Sequence, residues 1–500
     1  MAPPITMLAI DSTSLALLAC AAFVVYVYVT RRRDLDHIPT IGYSDPFLSW
    51  ISSLRFIFGV QSILEEGYVK YPGGAFKIPM IDGWIVVLNG DHHVKDIARA
   101  STDKMNSFKS TSTFLQYKHT LGLPVIESQY HATVIRTSLT RNIGTRFEDI
   151  HDQIIKAYDE GIACKGKEWI PVPAVALQID VICKVASRFF VGKPLCDNAQ
   201  FRAICEQATL EIYKGRFIRL FPEFMRPAAS RIVTNVHGLR AQMEEFVGSM
   251  VECRLEQERL HGEDWPEKPN DIISWLMDGA KAAKQPITVS DISSRILLVS
   301  FGAIHTSSAT FTSALYQLCL SPENAQELRQ EIEAVVNEEG WTKDSVSKMY
   351  KLDSYFRESQ RVHFLSTLPV GRTTLQDFTF SDGLCVPKGT SIGINVYSRH
   401  LDENYYQNAS EFDAFRHARE DGEGQPLVTG PAVDYHPFGH GRSACPGRFF
   451  AATELKVMMA HLIMNYDFKL EKDEYPHKMI IESQSVPDYN VKVFFRKRAD

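Results

Sequence analysis

The chain has 500 residues, 45% hydrophobic and 23% charged, which excludes a low-complexity or disordered polypeptide and permits a large buried core. Its 54 basic and 60 acidic residues give a formal net charge of -6, leaving no basic field for a phosphate backbone, so nucleic acid is excluded as a partner. Its 9 cysteines include no CxxC pair and form no disulfide framework, which suits a reducing compartment for the body of the protein.

In chain order, residues 12–30 (STSLALLACAAFVVYVYVT) carry no charge and are followed at once by Arg31, Arg32 and Arg33. That run just spans a bilayer core of about 30 Å. A cleaved signal peptide has its positive charge before the apolar run; here Asp11 precedes it and the arginines follow. The order predicts a retained transmembrane anchor, with residues 1–11 as a short lumenal tail and everything after the arginines in the cytosol. Residues 31–47 read as a basic, proline-containing linker (Pro39, Gly42, Pro46) and 48–500 as one large domain.

Strand-like runs follow at 74–81 and 84–89, and from about 148 to 281 the apolar spacing of three and four predicts helices. A long helix is expected over Asp291–Leu320, capped by Ser290 and stopped by Ser321 and Pro322. Residues 296–320 contain no Asp, Glu, Lys or Arg, but His305 and a row of hydroxyl residues favour a buried central helix over a membrane span. Helix is next expected over Ser354–His363, short strands and turns through TTLQDFTFSDG and PKGTSIGINVYS, and a final helix over RFFAATELKVMMAHLIMNY with Pro446 as its first residue. The fold class is mainly α with small β-sheets.

Two constellations carry chemistry. In FGHGRSACPG, Cys445 stands at a helix N-terminus, where free amides and the helix dipole favour thiolate, and glycines 439, 441 and 447 allow amides to turn toward the sulfur. By itself this is also compatible with a small buried hydrophobe. Glu358 and Arg361 share a helical face, and Arg416 is placed to join them in a buried network.

Taken together, Phe438, Gly439, Gly441, Arg442, Cys445 and Gly447 resemble the haem-thiolate loop of the cytochrome P-450 monooxygenases. Glu358 and Arg361 resemble that family's E-x-x-R helix, Arg416 the arginine completing its structural triad, and Gly302-Ala303-Ile304-His305-Thr306-Ser307 its oxygen-binding stretch. The resemblance implies a single haem domain of cytochrome P-450 fold, with haem b ligated by the Cys445 thiolate and Phe438 shielding the sulfur. It implies room for a diatomic ligand at Gly302 and Ala303, and a Thr306 hydroxyl that holds oxygen and relays protons. Electrons would come from NADPH through a separate reductase, since the chain has no nicotinamide or flavin fingerprint, with cytochrome b5 as a further partner. The microsomal type implies a single-pass protein of the endoplasmic reticulum membrane.

Departures from the family pattern set further expectations. His305 replaces the usual acid before Thr306, and either relays protons or only forms a hydrogen bond within its helix. Ser443 stands where Arg or His usually reaches a haem propionate, which leaves that task to Arg372 and Arg442. No Trp/Arg pair occurs near 130–141; Arg136 or Arg141 serves instead, or both are surface residues. Arg448 and Lys456 are expected either on a basic surface for an electron donor or on a solvated helix face. The phrases IPTIGYSDPF, GAIHTSS and FGHGRSACPGRFFA resemble fungal members of secondary metabolism, which implies a lipophilic substrate, a terpenoid first, with indole-derived alkaloids, sterols and fatty acids as alternatives. A haem-thiolate isomerase or dehydratase, and a scaffold without haem, are the rival readings.

Overall fold

The computed structural model describes residues 33–45, 48–81, 83–164, 166–263, 265–419 and 422–498. The expected anchor at 12–30 and the tail before it lie outside the described residues. Among those described, no helix is long and apolar enough to cross a membrane.

Strands β1 (Ala75–Met80), β2 (Gly83–Leu88), β3 (Met105–Asn106), β5 (Arg372–Thr374) and β8 (Ser391–Ile394) form one sheet in the order β1-β2-β8-β5-β3. The β1–β2 hairpin is antiparallel with Ile78 opposite Ile85, whereas β2 and β8 are parallel with Val86 opposite Ile392. Strand β4 (Ile170–Pro173) pairs with β12 (Lys492–Lys497), which also pairs with β9 (Tyr466–Leu470); the pairs β6–β7 (Phe378–Thr379, Cys385–Val386) and β10–β11 (Met479–Ile481, Gln484–Val486) complete the β part. The segment expected as a linker is docked on this sheet. Ile41 N–H donates to the Lys77 carbonyl at 3.0 Å and Lys77 N–H to that of Pro39 at 2.8 Å, while Leu35, Ile38 and Ile41 are buried.

Helices make up the rest: α1 (Ser49–Lys70), α2 (Asp91–Arg99), α3 (Ser107–Phe114), α4 (Tyr130–Val134), α5 (Phe147–Ile162), α6 (Ala174–Val191), α7 (Ala199–Lys214), α8 (Val236–His261) and α9 (Ile272–Ala282) precede the long α10 (Val289–Cys319). After it come an 18-residue helix over Pro322–Glu339, then α11 (Tyr350–Val362) and α12 (Arg448–Asn465), with shorter helical turns and strands between. Helix α10 is the axis: α6, α7, α8, α9, α11 and α12 all contact it. Ile296, Leu297, Ile304, Phe311 and Leu315 are buried along it, each worth about 1.5–3 kcal/mol by removal from water.

Three helix starts differ from expectation: α11 begins at Tyr350, four residues before Ser354, and the other two differ at their caps. Thr288, not Ser290, caps α10, its hydroxyl accepting the Asp291 N–H at 3.2 Å; Ser290 lies inside the first turn. Helix α12 begins at Arg448 with Gly447 as its cap, so Pro446 precedes the helix and only sets the entry angle.

The first turns of α10 are locked to α4. Arg295 pairs with the Asp291 carboxylate (2.9 and 3.0 Å), donates to the Ser128 carbonyl at 2.8 Å and reaches His131 Nδ1 at 2.7 Å, while the Tyr130 hydroxyl donates to Asp291 at 2.7 Å. Continuous with α4 is one π-helical stretch, Ile135–Leu139, an uncommon geometry that tends to occur at functional sites. Ile135 and Leu139 both emerge on the wall of the central cavity.

Candidate active site

The cysteine loop is closed by Cys445 N–H donating to the Phe438 carbonyl at 2.8 Å. Gly439 and Gly441 sit at φ +74° and +65°, which only glycine adopts readily. Gly441 has a second constraint: a Cβ there would lie 2.7 Å from Ala98 Cα, so the loop is seated on the end of α2.

Cys445 is exposed by surface area yet almost enclosed by protein, because the surface it exposes is the cavity wall. Amides of Gly447 and Arg448 hydrogen-bond toward its sulfur and favour thiolate, as expected for a helix start, but burial outweighs them and pushes the thiol up. A cation bound at the sulfur would offset that cost of burial. Arg448 ties the loop together, donating to the carbonyls of Cys445 (2.9 Å) and Thr429 (3.2 Å). Lys456 is not at the surface: it is buried and pairs with Asp353 at 3.4 Å, which corrects its assignment to a basic face.

The sulfur faces a cavity of about 850 Å³. Phe438 forms part of its wall on the cysteine side, and Gly302, Ala303 and Thr306 of α10 form another part. The Thr306 hydroxyl donates to the Gly302 carbonyl at 2.6 Å, so its lone pairs are what it presents to the cavity. A Cβ on Gly302 would meet nothing within 4 Å; the open space beside it is the cavity itself.

His305 is not on the cavity wall. Its Nε2 approaches the Glu206 carbonyl of α7 at 3.3 Å, and burial lowers its pKa so that the ring is neutral at pH 7. It bonds to the neighbouring helix, not within its own. Thr306 and His305, paired in the sequence reading, thus occupy different environments.

Arg372 is buried on the wall, donating to the carbonyls of Gly371 (2.8 Å) and His440 (2.9 Å). Burial depresses it to about 10, and no carboxylate among the described residues pairs with it. A buried cation lacking a counterion is costly, so an anionic group bound in the cavity is what this position fits. Arg442 is exposed and off the cavity, as are Arg136 and Arg141, while Ser443 lines it. Among the arginines expected to bind a propionate, the geometry suits Arg372 alone.

Behind the loop, Glu358 and Arg361 are fully buried and joined by two parallel bonds of 2.7 and 2.8 Å. Arg416 Nε reaches the same carboxylate at 3.1 Å, as does the Asp413 N–H at 3.1 Å. Arg361 also donates to the carbonyls of His400 (2.6 Å) and Glu411 (2.8 Å), so every strand of chain meeting here is tied to one guanidinium. Although Glu358 is desolvated, which raises its pKa, the two arginines and the amide bring the net shift below the usual value. Sequence reasoning missed the Arg295–Asp291 lock, which the i, i+4 spacing of those two residues signals.

The residues present suit haem: a sulfur with convergent amides, an uncompensated buried arginine for a propionate, and an aromatic wall beside the cysteine. The Cytochrome P450 family profile matches residues 59–493. Cytochrome P450 monooxygenase 151 of Postia placenta is 37% identical over 94% of this chain and 96% of its own length. Ent-kaurene oxidase P450-4 of Gibberella fujikuroi is 28% identical, covering 95% of each chain. A cyanobacterial CYP120A1 structure with retinoic acid bound superposes with a TM-score of 0.68 at 19% identity, over 92% of this chain and 99% of that one, and shows the fold. The chain therefore belongs to the cytochrome P450 family, as a haem-thiolate monooxygenase whose NADPH-derived electrons arrive through a reductase partner.

Proposed function

We propose that this monooxygenase oxidises a terpenoid in fungal secondary metabolism, working at the endoplasmic reticulum membrane with cytochrome b5 as a second donor. The observation that carries the substrate reading is the cavity wall, where Phe114, Leu298, Val299, Phe301, Leu368 and Ile392 present a broad apolar surface to a bulky hydrocarbon. The relative whose name is ent-kaurene oxidase supports a terpenoid over an alkaloid, sterol or fatty acid.

Haem bound through Cys445 supplies dioxygen activation; the chain supplies position and protons. Apolar walls orient the substrate and exclude water, and the Thr306 lone pairs hold a proton donor at the oxygen-binding side. The lone-pair presentation of Thr306 also favours oxygen chemistry over isomerisation or dehydration. For the membrane, the uncharged run at 12–30 is supported by exposed apolar side chains at Phe58, Phe224 and Ile232.

The test is reconstitution with reductase and NADPH and separate feeding of a diterpene, a triterpenoid, a sterol, a fatty acid and an indole alkaloid. Oxygenated terpenoid is the expected product. Turnover confined to another class overturns the terpenoid reading, and product without NADPH favours the isomerase.

A further inference from the structure

The cavity has a second polar corner on a different wall from Cys445. Tyr213, at the end of α7, and Glu482, at the β10–β11 turn, both line the cavity, and Arg216 stands beside them. Tyr213 Oη, Arg216 Nε and Glu482 Oε2 are each buried without a hydrogen-bond partner. The Arg216 guanidinium covers the Tyr213 ring at 4.7 Å and approaches the Glu482 carboxylate at 3.7 Å, too far for a hydrogen bond. Glu482 sits at φ +53°, an uncommon conformation for a residue with a side chain, and its N–H is pinned to the Ile57 carbonyl of α1 at 2.9 Å.

Two unpartnered polar atoms on the cavity wall, with a third on Arg216 behind them, are expensive unless a ligand satisfies them. The chemistry of the missing group follows from the two that face the cavity. Glu482 can only accept and needs a donor; the Tyr213 hydroxyl needs an acceptor; Arg216 balances the carboxylate charge. We infer that Tyr213 and Glu482 are specificity-determining residues that bind a neutral hydroxyl already present on the substrate. That hydroxyl donates to Glu482 and accepts from Tyr213. A ketone or a carboxylate leaves Glu482 without a donor, and a hydrocarbon satisfies neither. The enzyme accordingly acts after a reaction that leaves an alcohol on a hydrocarbon skeleton. This inference rests on the monooxygenase reading of the cavity, not on the choice of a terpenoid.

The test is equilibrium binding to the full-length holoenzyme, read from the haem absorption shift when a ligand enters the cavity. Two probe series are titrated: a diterpene hydrocarbon with its alcohol, ketone and acid, and a linear alkane with its alcohol, ketone and acid. The alcohol is expected to bind at least about tenfold more tightly than the parent hydrocarbon in one or both series. Tyr213→Phe and Glu482→Met, which keep the bulk but remove the hydroxyl and the carboxylate acceptor, are expected to remove most of that preference while leaving the carbon monoxide difference spectrum unchanged. An alcohol that binds no more tightly than its hydrocarbon in both series, or a preference that survives both substitutions, overturns the inference. A preference seen only in the linear series removes the terpenoid reading and leaves this one standing.

Discussion

The Glu358 network and the cavity wall are both built from buried polar groups, but in opposite states. In the first, each charge has a partner: Glu358 accepts from Arg361, Arg416 and the Asp413 amide, and Arg361 spends its remaining protons on backbone carbonyls. On the wall, Arg372 has only carbonyls, and Tyr213 and Glu482, with Arg216 beside them, have buried atoms without a hydrogen bond. A satisfied network of this kind fixes chain geometry, whereas unsatisfied groups at a cavity mark where something else binds.

The sharpest way to break the contrast is at the sulfur. Cys445→Ser removes the ligand that the amides of Gly447 and Arg448 address, so the thiolate-haem carbon monoxide band and product formation are both expected to vanish. Next in size is the closed network. Glu358→Gln leaves the buried Arg361 and the half-buried Arg416 short of a countercharge and is expected to cost about 3–5 kcal/mol, seen as a large fall in thermal midpoint and in haem-loaded yield.

Acid attacks the packed body through its buried histidines. Burial lowers His131, His363 and His400 to about 3 and His461 to about 4, against about 6.5 in the unfolded chain. The unfolded state therefore binds more protons below that value. Stability from these rings is complete above about pH 6.5 and is lost as the pH falls toward about 3, so the thermal midpoint is expected to drop between pH 7 and pH 5.

On the wall the expected effects are smaller and confined to binding. Arg372→Ala removes the buried cation and is expected to weaken haem retention, measured as haem per protein after gel filtration, by about tenfold in affinity. Arg442→Ala, at an exposed position, is expected to leave it unchanged. Smallest of all, Thr306→Ala should lower product formed per NADPH severalfold with haem content intact, while His305→Ala, off the wall, should leave coupling and its pH profile as they are.

Legibility in the sequence tracked the range of the interactions. Helix α10, the Cys445 loop and the Glu358–Arg361 pair are local patterns that spacing exposes; the starts of α10 and α12 differ from expectation by two positions and that of α11 by four. Lys456 was misplaced because its partner, Asp353, lies 103 residues away and nothing nearby in the chain announces it. The docking of residues 35–41 on β1 was hidden for the same reason, since a proline-rich stretch reads as a spacer until a strand edge is set beside it.

What the sequence alone determined is the class of chemistry: a cysteine at a glycine-rich helix start, a central helix with Gly302 and Thr306, and a Glu–Arg pair, each defined by spacing within a few residues. Only the tertiary structure decided which groups share a space. It turned His305 toward α7, put Arg442 outside and Arg372 inside, and brought the turn at Glu482 against the end of α7 at Tyr213. Side-chain direction across elements is set by packing between distant segments, and that information is absent from any single stretch of chain.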